Sequence, residues 1–183
     1  MKDLSLHILD IAENSIRAGA TEIRIRIVED MKKNLLLIEV GDNGKGMDEE
    51  MLKKARDPFF TTKECKRTGL GIPMLAQSAK DCGGDLTIKT EKDKGTVVTA
   101  FFQYDHVDRK PLGDICNTLI VLIASNPDMD IIFEHRKNDD LYTLDTGEIR
   151  KELDGIPINT PDVIKIIKDD ISAWLIHADN MLQ

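Results

Sequence analysis

Three polar side chains near the start of the chain are spaced for joint chemistry. Asp10, Asn14 and Arg17 fall at i, i+4 and i+7, so on a helix they share one face. An asparagine amide oxygen is a neutral ligand for Mg²⁺, a carboxylate one turn away can accept a proton, and a guanidinium can contact phosphate. The same spacing equally describes an exposed polar stripe on an amphipathic helix. A second group, Gly41-Asp42-Asn43-Gly44-Lys45-Gly46-Met47, follows an apolar run. Gly44 and Gly46 let backbone approach a ligand closely, and an Asp at a strand end can accept the exocyclic amine of a purine. Asp-Asn-Gly is also ordinary turn chemistry. A third group is Asp57-Pro58-Phe59-Phe60-Thr61-Thr62-Lys63, and a fourth, Arg67-Thr68-Gly69-Leu70-Gly71-Ile72, opens a helix. Glycines before a helix N-terminus offer unpaired N–H groups and the positive dipole end to phosphate, and Lys63 adds a mobile point charge. Phe59 and Phe60 read equally well as core.

The elements that must position these groups are readable from periodicity. Leu4–Ala18 has helical spacing, with Gly19 where a helix-ending glycine belongs. Glu22–Val28 alternates Ile23, Ile25 and Ile27 with charged residues, and Leu35–Val40 is a short apolar run. The two predict a β-hairpin connected by Met31–Asn34. Asp48–Arg56 reads as a short helix with Asp48 as N-cap and Met51 at the start of its buried side. Asp57–Gly71 is rich in breakers. Ile72–Cys82 reads as a helix with Pro73 in its first turn and Gly83-Gly84 ending it. Leu86–Thr90 and Thr96–Tyr104 form a second hairpin around Asp93-Lys94-Gly95. Beyond a polar linker, Asp105–Lys110, Leu112–Ala124 suggests a helix, and Asp130–His135 with Leu141–Leu144 a hairpin. Asp162–Ala178 suggests an amphipathic helix with Ile166, Ile167, Ile171, Trp174 and Leu175 on one face. The pattern over residues 1–104 predicts helices on one face of a mainly antiparallel sheet.

Composition bounds the partners. The 183 residues are 41% hydrophobic and 32% charged, with a net charge of −8. Residues 1–104 hold 17 acids and 17 bases, whereas residues 105–183 hold 16 acids and 8 bases, so the whole imbalance lies in the second part. Acidic surface repels a phosphate backbone, which argues against nucleic acid as its partner. Three widely spaced cysteines without a CxxC pair fit reduced thiols rather than a zinc site or a disulfide framework. The first residues lack a signal-peptide pattern, and the longest apolar run, Thr118–Ala124, is far short of the ~20 residues that span a bilayer. The expectation is a soluble cytoplasmic protein that does not engage a membrane.

The four groups occur in one order within about 80 residues, and in that order they resemble the ATP-binding (GHKL) domain. That domain is shared by gyrase, Hsp90, histidine kinases and MutL-type mismatch-repair proteins. AENSIRAGATEIRI resembles the N-box of the MutL group, and DNGKGM the adenine-binding box of the whole superfamily. PFFTTK followed by RTGLGI resembles the later boxes of histidine kinases. The short Glu64–Thr68 insert resembles the lid of the sporulation anti-sigma-factor Ser/Thr kinases. The resemblance covers roughly residues 4–104. It implies an α+β, Bergerat-type sandwich over residues 1–104, with 105–183 as a small acidic α/β appendage.

The resemblance also implies roles. Asn14 would be the Mg²⁺ ligand and Asp42 the acceptor for the adenine amine. Gly44, Gly46, Gly69 and Gly71 would be positions of close backbone approach, with Met47, Thr68 and Leu70 in the same boxes. Lys63 and Arg17 would contact phosphates, and Thr96 would lie near the adenine. MutL-type sequences usually carry Asp where Arg17 stands, and kinases often carry a base. The general-base position is Asp10, one methylene shorter than the Glu usual there. ATP and Mg²⁺ are therefore the expected ligands.

None of His7, His106, His135 and His177 sits in a long helical segment ahead of the ATP motifs, which argues against a complete sensor kinase. His7, on the apolar side of the first helix, reads as a satisfied core or boundary histidine. Three functions compete: a stand-alone ATP-dependent kinase or regulatory switch, a slow ATPase acting as a conformational switch, and a non-catalytic nucleotide-binding adaptor. In the first and third, residues 105–183 would meet a protein partner, and the second would be accelerated by formation of a homodimer.

Overall fold

A computed structural model describes residues 2–56 and 71–180. Helix α1 (Leu4–Arg17) starts at Asp3, whose side chain accepts from the Leu6 amide, and ends at Ala18. It leads into strands β1 (Glu22–Asp30) and β2 (Leu35–Asp42). Helix α2 (Glu49–Arg56) is capped by Asp48, whose Oδ1 accepts from the Met51 amide at 2.8 Å. Helix α3 (Gly71–Asp81) precedes β3 (Asp85–Glu91) and β4 (Gly95–Gln103). Then come α4 (Ile115–Ser125), β5 (Asp130–Lys137), β6 (Asp140–Asp145), α5 (Thr146–Glu152) and α6 (Pro161–Asn180).

The six strands form one mixed sheet in the order β3-β4-β2-β1-β5-β6. All neighbours are antiparallel except β1 and β5, which run parallel with Ile23 opposite Ile131 and Ile27 opposite His135. The boundary expected near residue 104 thus falls between two segments of a single sheet. Period-2 alternation decides which face is covered. Ile23, Ile25, Ile27, Leu36, Ile38, Val40, Val98, Ala100, Phe102, Ile131 and Phe133 are buried and join the core with Leu4, Ile8 and Ile11 of α1, Leu75 of α3, Leu119 and Ile123 of α4, and Ile167 and Ile171 of α6. Fully burying each Val, Leu, Ile or Phe side chain among them contributes about 1.5–3 kcal/mol. The residues that alternate with them, Arg24, Arg26, Glu39 and Glu134, form the other face, where Arg26 and Glu39 are paired at 3.9 Å.

Several expectations change. The final helix buries Val163, Ile167, Ile171 and Ala178, while Ile166 points outward at 68% exposed. The true stripe steps by four from Ile167 to Ile171, which turns Ile166 about 100° away from it (roughly 3.6 residues per turn). Helix α4 starts three residues later than its apolar run suggests, because Asp114 supplies the cap by accepting from the Asn117 amide at 2.8 Å. Helix α5 has no counterpart in the periodicity. Met51 is 45% exposed instead of buried. Among the described residues no helix is long and apolar enough to cross a membrane.

Candidate functional site

At the Asp42 end of the sheet a cavity of about 490 Å³ opens between α1, α2, the start of α3 and the strand ends. That volume lies within the ordinary range of small-molecule sites. Its lining includes Asn14, Arg17, Asp42, Gly46, Met47, Gly71 and Thr96, all expected from the sequence. Asp10 and Gly44 stand beside it and do not line it. Lys63, Thr68, Gly69 and Leu70 lie outside the described residues. Ser15, Lys45, Met51 and Lys54 also line the cavity; Ser15 and Lys45 fall within the quoted motifs without an assigned role, and Met51 and Lys54 lie outside them.

Asp42 and Thr96 meet because β2 and β4 pair with these two residues directly opposite each other. The Asp42 carboxylate is fixed from both sides. Ser15 Oγ donates to Oδ2 at 2.6 Å and the Gly44 amide donates to Oδ1 at 2.8 Å. Each oxygen keeps a lone pair, so the carboxylate is aimed and still able to accept. Ser15 was legible only as a buried helix position; its reach to a carboxylate 27 residues away depends on the fold. Asn43 ties the loop ahead of β1 to this turn, its Oδ1 accepting from the Thr21 and Glu22 amides at 2.9 and 3.0 Å.

Two glycines have specific packing reasons. Gly46 has φ +61°, and a Cβ there would overlap the Glu91 carbonyl of the β3–β4 turn. At Gly71 a Cβ would overlap the Asp10 carboxylate. Asp10 is therefore held against the first residue of α3. Burial pushes its carboxyl pKa up, with Arg17 opposing and Glu13 adding. Arg17 Nη2 donates to Asn14 Oδ1 at 2.7 Å, so the guanidinium rests on the very oxygen expected to bind metal.

The lining charges favour an anion. Among the described residues, Arg17, Lys45 and Lys54 face the cavity against a single carboxylate, Asp42, and Lys54 also pairs with Glu50 at 2.5 Å. A second concavity, of about 410 Å³ beside α5, carries Glu22, Asp130, Asp145 and Glu148 against Arg150 and Lys151. Its acidity suits a polyphosphate poorly. Among the described residues no group of three or more His, Cys, Asp or Glu could hold a metal ion.

His7 is buried, as expected, but it is not satisfied. Neither ring nitrogen has a hydrogen-bond partner among the described residues. Burial, reinforced by the charge of Lys110, lowers its pKa to about 4.

The family described as histidine kinase-, DNA gyrase B-, and HSP90-like ATPase matches residues 2–106. Sporulation kinase C of Bacillus subtilis (strain 168) is 37% identical over 89 residues, covering 49% of this chain and 21% of that protein. The chain thus spans about a fifth of the length of the curated relatives it matches. Among solved structures, the N-terminal domain of a DNA repair protein aligns with a TM-score of 0.57 at 17% identity, over 79% of this chain and 53% of that one. The Aquifex aeolicus MutL ATPase domain complexed with ADP aligns with a TM-score of 0.50 at 17% identity, over 84% of this chain and 68% of that one. At that identity the likeness concerns the fold alone. With the family matched over more than half of its length, the chain belongs to the histidine kinase-, DNA gyrase B- and HSP90-like ATPases.

Proposed function

We propose that this chain is a cytoplasmic, stand-alone module that binds Mg-ATP in the cavity at the Asp42 end of the sheet and works as a protein kinase or regulatory switch. The observation that supports it best is the convergence of Asn14, Arg17, Asp42 and Thr96 on one basic-lined cavity, with Asp42 oriented by Ser15 and Gly44. Asp42 would accept the adenine amine, Arg17 would leave Asn14 for the phosphates, and Lys63 would contact the phosphates as well. Thr68, Gly69, Leu70 and Gly71 would frame the phosphate side. The donor set fits a magnesium that arrives on the nucleotide. Asn14 offers one neutral oxygen, and Mg²⁺ characteristically takes one or two protein ligands, phosphate oxygens and waters. Bound there, it would neutralise phosphate charge. Asp10 would accept the proton of a Ser/Thr hydroxyl on the partner. Residues 1–104 would form the nucleotide-binding unit, and the acidic residues 105–183 would dock the partner through a basic surface or mediate a homodimer.

Asp10 stands against Gly71 and not in the cavity lining, which favours a second reading as a nucleotide-binding adaptor. Thermal denaturation with and without ATP·Mg²⁺ tests the shared claim. The midpoint should rise with ATP and the rise should largely vanish in Asp42→Asn. No rise in the unmutated protein, once stripped of copurified nucleotide, refutes ATP binding. γ-labelled ATP with host lysate separates the two readings. The kinase labels a partner and loses this in Asp10→Asn, and the adaptor labels nothing.

A further inference from the structure

Strand β6 is the last of the sheet and pairs only with β5. The two-residue turn Asn138-Asp139 makes Lys137 and Asp140 a hydrogen-bonded pair, and such pairs alternate along an antiparallel ladder. Tyr142 and Leu144 therefore bond to β5 as well, whereas the amides and carbonyls of Leu141 and Thr143 point away from the sheet. Among the described residues no backbone group meets them there. Both residues are exposed, Leu141 at 47%. The neighbouring helices leave this edge open. Helix α5 stands at the end of the sheet, where Arg150 reaches the Pro127 and Met129 carbonyls, and α6 lies on one face, where Asp170 accepts from the Tyr142 hydroxyl at 2.6 Å. Natural sheets blunt a free edge with Lys, Pro or a bulge. Leu141-Tyr142-Thr143-Leu144 carries neither residue, and its register with β5 has no bulge.

The surroundings of the edge select an occupant by charge. Asp140 and Asp145 end the strand, and Asp170 borders it. Asp145 accepts from the Gly147 and Glu148 amides and Asp170 from a hydroxyl, neutral donors that leave both negative charges in place. Asp139 and Glu148, one step further out, are met by Lys32 and Lys151, and Arg136 stands opposite Leu141. Beside Asp145 the acidic concavity of about 410 Å³ has room for a long basic side chain. A second copy of the chain fits poorly. In the register that lets Leu141 and Thr143 exchange hydrogen bonds with their copies, Asp145 comes opposite Asp139, and like charges directly opposite disfavour a pair.

We propose that the free edge of β6 docks an extended, basic segment of a partner protein, which adds a strand to the sheet. The Leu141 and Thr143 backbone supplies the affinity, as in other strand additions, and the acidic ends select Lys or Arg at the ends of the incoming strand. This deepens the reading that residues 105–183 dock a basic partner, and rests on it.

The test uses the full chain and a fluorophore-labelled peptide, Lys-Val-Thr-Val-Val-Lys, beside a control with Glu at both ends. Anisotropy should show saturable binding of the first and not of the second, and exchange of the Leu141 and Thr143 amides with deuterium should slow when the first is added. Thr143→Pro removes an N–H that β5 does not use, which an edge strand tolerates, and should weaken binding about tenfold while the thermal midpoint is kept. If Thr143→Pro does not fold, Asp140→Lys at its exposed position should weaken binding of the Lys-ended peptide and strengthen that of the control. Saturable binding that leaves both amides unprotected overturns the edge as the site and spares the broader reading of a basic partner. Equal binding of the two peptides overturns the basic partner itself. No binding of either overturns the proposal, as does self-association of the chain that Thr143→Pro abolishes, which would make a second copy the occupant.

Discussion

Two histidines are buried in this chain, and they are handled in opposite ways. His135 is 2% exposed, like His7, but both of its nitrogens are engaged. Trp174 Nε1–H donates to Nδ1 at 3.0 Å, and Nε2 lies 2.9 Å from Glu29 Oε1. An indole N–H can only donate, so Nδ1 is the bare nitrogen and Nε2–H donates to Glu29. Burial alone would push the Glu29 carboxyl up, but the His135 hydrogen bond and the Lys137 ammonium, 3.7 Å away, outweigh it and hold its pKa below the usual value. That cluster joins β1, β5 and α6, which ties residues 105–183 to the N-terminal part. It lies six residues up β1 from Ile23, the partner of Asp42, so roughly 20 Å separates it from the cavity end. One end of the sheet is closed by a polar network whose histidine is fully met. At the other, His7 is buried in the seam between α1 and α3, with the Gly71 backbone as the polar group nearest its ring and no side-chain partner among the described residues. Completed polar networks specify a packing, and a buried polar group without a partner costs stability.

The largest expected effect is at the closed end. His135→Leu leaves the Glu29 charge buried without its nearest partner and the Trp174 N–H without an acceptor. It should cost about 3 kcal/mol in urea unfolding, the loss of a hydrogen bond to a charged group together with an unmet buried donor. Adding Glu29→Leu should recover little of that loss, since the buried Lys137 ammonium then loses Glu29 and keeps only the exposed Asp179 at 3.4 Å. A single substitution within ~0.5 kcal/mol of the unmutated chain would end the contrast between the two sites.

The second effect is pH dependence, with opposite sources at the two ends. His7 has a folded pKa of about 4 against an ordinary 6.5. As pH falls the unfolded chain takes up this proton first, so stability is full above pH 6.5 and declines toward pH 4. The loss is about 3 kcal/mol, since a tenfold difference in proton affinity between the folded and unfolded chain is worth about 1.4 kcal/mol. Glu29 has a lowered folded pKa, so its contribution is present above its ordinary 4.5 and is lost as pH falls through the folded value. Between pH 6.5 and 4.5 the decline attributable to His7 should therefore be missing from His7→Leu. Parallel curves for the two proteins would show that the imidazole is not held neutral by its burial.

Much of the N-terminal fold was legible because its signals are local. Period-2 isoleucines in β1, the Asp48 cap and the Asn34 turn, whose φ is +54°, each act within a few residues. Asn14, Asp42 and Thr96 were legible as positions because motif order carries them. What the sequence hid is non-local. The parallel pairing of β1 with β5 joins residues more than 100 apart, and no short-range pattern encodes it. Helix α5 has no apolar stripe. It forms because Asp145 accepts from the Gly147 and Glu148 amides and because Arg150 reaches Asp130 and the Pro127 and Met129 carbonyls. Ser15 and Met51 become site residues only when α1 and α2 are placed around the cavity. His7 shows the limit most clearly, since helical spacing places it on the buried side and says nothing of whether a partner waits there.

The smallest effect is the most selective probe of the closed end. Trp174 is the one tryptophan of the chain. It stacks on Tyr142 with ring centroids 5.5 Å apart, besides donating to His135. Trp174→Phe keeps an aromatic face against Tyr142 and removes the N–H, leaving His135 Nδ1 as a buried acceptor without a donor. The expected loss is about 1 kcal/mol in urea unfolding, with ADP affinity unchanged because the site lies at the other end of the sheet. A loss that appears in ADP affinity instead of stability would mean the two ends are coupled through the sheet.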